Sequence, residues 1–141
     1  MTFERIEFEN KLYALVVRKG IDGDEPVQFL TAPENPLQVG VFFHRAGAEV
    51  KAHVHKQWRR VVEVTQEVVH VDSGRLRIDI YEDVQKVTEL ILSAGETVLL
   101  MAGGHGIVVL EDSHYFEVKQ GPYMGVEQDK TLLEDIERLS P

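Results

Sequence analysis

The stretch Thr65–Asp83, "TQEVVHVDSGRLRIDIYED", decides how this chain is read. Leu76, Ile78 and Ile80 alternate with Arg75, Arg77 and Asp79, the period-two signature of a half-buried strand. The run before it, ending in Val68, Val69 and Val71, is also strand-like, and Gly74 between the two reads as a hairpin glycine. Outward from this pair, more short strand signals are separated by glycine-bearing turns: "LQVGVFFHR", "EVKAHVH", "KVTELILSAGETVLLMAGG", "HGIVVLEDS" and "HYFEVKQGPY". Such spacing predicts an all-β sandwich or barrel. Phe3–Arg18 adds further strand-like sequence, while Lys19–Phe29 and Thr31–Pro36 are turn-rich loops. Only the tail changes period. Leu132, Leu133, Ile136 and Leu139 recur at helical spacing, predicting a short helix over roughly 128–139 without a chemical role.

The chain has 141 residues and a net charge of −9, with its lysines and arginines dispersed. Length gives one domain, 1–141, with strands over 3–18 and a barrel core over 37–123. The acidic balance argues against nucleic-acid and anionic-membrane partners. With no cysteine, any metal must be held by nitrogen and oxygen donors. The N-terminus is charged and no apolar run spans a bilayer, so a cytoplasmic protein without signal peptide or membrane span is expected.

Six histidines are present, and two, His53 and His55, are one residue apart within "GAEVKAHVHK" (Gly47–Lys56). On a strand they project from one face, roughly 6.5–7 Å apart. Glu67 and His105 supply further donors on separate predicted strands. Three imidazoles and a carboxylate suit a first-row divalent metal and leave positions open for water or substrate. His70 has the opposite parity to Glu67 and faces away, as does Gln66. His44 reads as a polar strand end and His114 as exposed.

Gly47, five residues, His53-Val54-His55, and then Glu67, six residues and Gly74, resembles the first cupin motif. Gly95 to His105 is similar to the second. Eleven residues separate His55 from Glu67, where the family usually has three or four, and Met101 replaces a usual proline. The resemblance implies a double-stranded β-helix, the cupin jelly-roll barrel. It also implies one divalent ion (Fe, Zn, Ni or Mn) on His53, His55, Glu67 and His105, and a homodimer pairing through edge strands such as Phe3–Arg18. The implied activity is metal-dependent chemistry on a small polar, sugar-like or carboxylate substrate. An iron dioxygenase and a non-catalytic sugar-binding module are the alternatives. Arg59, Arg60, Glu117, Lys119, Gln120 and Tyr123 are candidates for orienting that ligand, and no residue identifies itself as the proton carrier.

Overall fold

The structure is a computed structural model describing residues 3–20 and 25–139. Residues 21–24, inside the expected loop Lys19–Phe29, lie outside the described part. The elements are β1 (Phe3–Phe8), β2 (Lys11–Val17), β3 (Val27–Phe29), β4 (Gly40–Phe42), β5 (Glu67–Glu82), β6 (Gln85–Ser93), β7 (Thr97–Leu100), β8 (Gly104–Lys119), α1 (Val126–Asp129) and α2 (Leu133–Leu139). The molecule is thus mostly β, with the helical tail in two short pieces rather than one.

Gly74 is not a hairpin turn. Glu67–Glu82 is one 16-residue strand, and "HGIVVLEDS" with "HYFEVK" likewise forms a single strand, β8. β5 and β8 pair antiparallel along their length, from Glu67↔Lys119 to Tyr81↔Gly104. The other edge of β5 is divided: His70 and the residues before it pair with β7, and Arg75 onward pairs with β6. β2 and β1 extend the β7 side, giving the order β1-β2-β7-β5-β6 with β8 across β5.

The register shifts between Val71 and Leu76 mark where this ribbon folds over. There the inward parity changes, from Glu67, Val69 and Val71 to Leu76, Ile78 and Ile80, and the core residues of both runs are fully buried in one cluster. Gly74 has φ +85, and a Cβ on it would sit 2.2 Å from Ser113 Oγ and 2.3 Å from Asp112 O. Only glycine permits both the dihedral and the approach. The two halves close on a core of Val98, Leu100, Leu90, Leu92 and Val16. Each fully buried Leu, Ile or Val there contributes about 1.5–3 kcal/mol of transfer free energy. The result is a curled antiparallel half-barrel.

The outer face of the β2–β7–β5 portion carries a second cluster, Leu15, Leu30 and Leu99, covered by Leu37, Val39 and Val41. Gln66 holds this cover in place: it exchanges hydrogen bonds with Asn35 and donates to Met101 O.

The strand expected at Glu49–His55 does not form, and the strand-like run ending in Val71 begins only at Glu67. Phe43 to Gln66 has no regular secondary structure, and Phe42 to Thr65 is exposed throughout. Alternation makes a segment compatible with a sheet, but a strand exists only where a neighbour completes its ladder.

Candidate functional site

Glu67 opens β5 and faces inward with Val69 and Val71; it is 5% exposed. His105 is the second residue of β8, opposite Ile80. Straight, the strand between Glu67 and Ile80 would span roughly 43 Å. Because the ribbon folds over, His105 Nε2 instead lies 3.0 Å from Glu67 Oε2. The approach is close but off-line, since among the described residues Oε2 receives no hydrogen bond. It is a buried carboxylate oxygen with an unmet need for a donor or a cation.

The other oxygen, Oε1, is 3.5 Å from Lys119 Nζ. Lys119 lies directly across from Glu67 in register, and its ammonium bonds Asp129 Oδ2 at 2.7 Å and stands 3.5 Å from Glu117. The bond to Asp129 dominates its titration, ahead of the opposing effect of burial. The charges of Glu117, Glu67 and Asp129 add to that bond, and the ammonium is held well above its ordinary range. The Tyr123 ring lies beneath it, 5.5 Å away.

A cavity of ≈ 300 Å³ opens over this group, walled by Thr65, Glu67, Gly103, His105, Asp129 and Leu133. The tail therefore has a part at the site: Asp129 ends α1 and Leu133 begins α2, and Leu133 lines the cavity together with Gly104. Gly103 serves the fold rather than a ligand. Its Cβ position is 2.2 Å from Tyr81 O and 2.8 Å from the Tyr13 ring, so only glycine lets β8 start there.

Among the residues singled out from sequence, Glu67 and His105 meet, and Glu117 and Tyr123 gather around Lys119. Gln120 does not join them; its Oε1 accepts from the Gln66 N–H on the outer side. His53 and His55 sit on the exposed segment with ring centroids 5.2 Å apart, His53 Nδ1 lying 2.9 Å from Lys51 O. Among the described residues, no three His, Cys, Asp or Glu side chains are grouped to hold a metal ion. Arg60 stacks on Trp58 at 4.3 Å, and both line a separate cleft with Arg59 against Pro33–Gln38. His70 faces away as its parity requires, bonded to Thr97 Oγ1 and tilted over Phe116.

Lys119, on the same strand face as Glu117, was among the polar candidates of the last strand. Asp129 is the site residue missing from the candidates read in the sequence, because its contact spans a strand and a helix.

No family model, curated protein or solved structure matches the chain. Among the described residues no helix is long and apolar enough to cross a membrane.

Proposed function

We infer that this chain is a cupin-type protein that holds one divalent metal ion through His53, His55, Glu67 and His105 and acts on a small polar molecule. The observation that carries the reading is the buried Glu67 oxygen left without a hydrogen bond, 3.0 Å from the His105 imidazole at a cavity wall. One carboxylate oxygen and one imidazole nitrogen are a fitting half of a nitrogen/oxygen ligand set. The exposed pair His53 and His55 supplies the matching half. When bound, such an ion polarises a carbonyl or stabilises an enediolate, and iron in particular supports dioxygen chemistry. Lys119, anchored by Asp129, orients the Glu67 carboxylate from its far oxygen, as outer partners of a ligand do. Glu117 and Tyr123 stand beside Lys119 rather than on the cavity wall.

A second reading, binding without turnover, is favoured by one observation. Lys119 is engaged by three carboxylates, which removes it as a proton carrier.

The test is metal content after purification, for the wild type and for His53→Ala and His105→Ala. About one ion per chain, lost in both variants, supports the metal site. A wild type that is folded, metal-free and cannot be loaded removes it. Turnover of a hydroxy-carbonyl substrate by the loaded protein separates enzyme from binder.

A further inference from the structure

Three strands border the described sheet, and they differ in kind. β1 presents Glu4, Arg5 and Glu7, and β6 presents Lys86 and Glu89, charges that discourage further pairing. β8 carries charges too, Glu111, Asp112, Glu117 and Lys119, but among the described residues it pairs only with β5, runs 16 residues, and leaves Val109, Leu110, Tyr115, Phe116 and Val118 at 42–54% exposure. A long free edge with this much exposed apolar surface is a template for another strand.

The segment Arg45–Lys56 has the complementary properties. Lys51, His53 and His55 alternate with Val50, Ala52 and Val54, and Val54 is 89% exposed. Its charges match: Arg45, Lys51 and Lys56 against Glu49 leave +2, whereas Glu111, Asp112 and Glu117 against Lys119 leave β8 at −2. The faces match as well. His105 and Ile107 lie opposite Ile80 and Ile78 and so look inward, while Val108, opposite Arg77, looks out. A strand laid on this edge with its histidines inward sets Val50 and Val54 beside Val108 and delivers His53 and His55 toward His105.

In its own molecule the chain is routed elsewhere. Val61, Glu63 and Val64 lie beside Pro36, Gln66 and Met101, on the outer face, with Gln66 fixed to Asn35. That is the face opposite Glu67, and among the described residues His53 and His55 are not grouped with Glu67 and His105 to hold a metal ion.

We propose that Arg45–Lys56 of one copy docks on the free edge of β8 of a second copy. The exchange is reciprocal, and each site combines Glu67 and His105 of one chain with His53 and His55 of the other. Exchanging an identical element is a low-cost route to a dimer. The composite site rests on the metal reading given above; the docking itself does not.

Two measurements separate these claims. The chain has no cysteine, so Val54→Cys and Val108→Cys can be made singly, mixed after partial unfolding and refolding, and oxidised. A covalent dimer formed by the mixture and by neither variant alone supports exchange. A chain carrying both changes that cross-links within itself, running as a monomer, overturns it, as does a mixture that never cross-links. The second measurement co-refolds His53→Ala/His55→Ala with Glu67→Gln/His105→Ala. Exchange restores metal to about a quarter of the sites, because half the dimers are mixed and each has one complete site. No recovery, from a wild type that does bind metal, overturns the composite site. A cross-linked dimer whose wild type binds no metal leaves exchange standing and removes the metal reading alone.

Discussion

His105 Nε2 reaches within 3.0 Å of Glu67 Oε2, although the two residues occupy opposite ends of the paired strands β5 and β8. The contact exists because the ribbon folds over where Gly74 packs on Ser113. The site is therefore a consequence of the crease, and its integrity should track the crease.

Gly74→Ala tests that dependence. The added methyl meets Ser113 Oγ and Asp112 O below 2.5 Å, at a backbone dihedral that disfavours side chains. A loss of about 2–4 kcal/mol in urea unfolding is expected, combining left-handed strain with a clash against backbone. Gly20→Ala, where a methyl meets nothing within 4 Å, should cost about 1 kcal/mol from the dihedral alone. Equal losses in the two variants would show that the crease is not tightly packed.

Lys119→Met leaves Glu67 and Asp129 facing each other without their shared cation. Glu67 has a side-chain exposure of 6%, so its charge is poorly compensated by water. The expected loss is about 2–3 kcal/mol at pH 7. Lys119→Met combined with Glu67→Gln should recover part of it. Additive losses in that double variant would mean the two groups do not interact.

Asp79 sets an acid limit. Burial alone pushes its carboxyl up, but hydrogen bonds from Lys86 and Arg77, with their charges, outweigh burial and leave it below the ordinary range. A depressed carboxyl stabilises the fold above its unfolded pKa, near 4, and that contribution disappears as pH falls through the folded value. Denaturation midpoints of the wild type and Asp79→Asn should therefore differ at pH 7 and converge below about pH 4. A difference that stays constant down to pH 3 would contradict the assignment.

Much of the inward face was legible in the sequence. The alternation of Leu76, Ile78 and Ile80 places them inside, and parity puts His70 and Gln66 opposite Glu67. What local pattern could not distinguish was a hairpin from a corner, because Gly74 at positive φ serves either one. That difference depends on β8 continuing past the bend, which is long-range pairing. The same limit applies to "EVKAHVH", which alternates like a strand yet pairs with no strand among the described residues. Lys119–Asp129 was hidden for a related reason, since the helix that brings Asp129 carries no periodic link to β8.

The central claim is that Glu67 and His105 form half of a metal site. Titration of cobalt(II), followed by its visible absorption bands, tests it most directly, because those bands report nitrogen and oxygen donors at the ion. One ion per chain, with affinity falling at least about tenfold in both Glu67→Gln and His105→Ala but unchanged in His70→Ala, is the expected result. Equal affinity in the wild type and in both site variants, or no binding by the wild type, would contradict it.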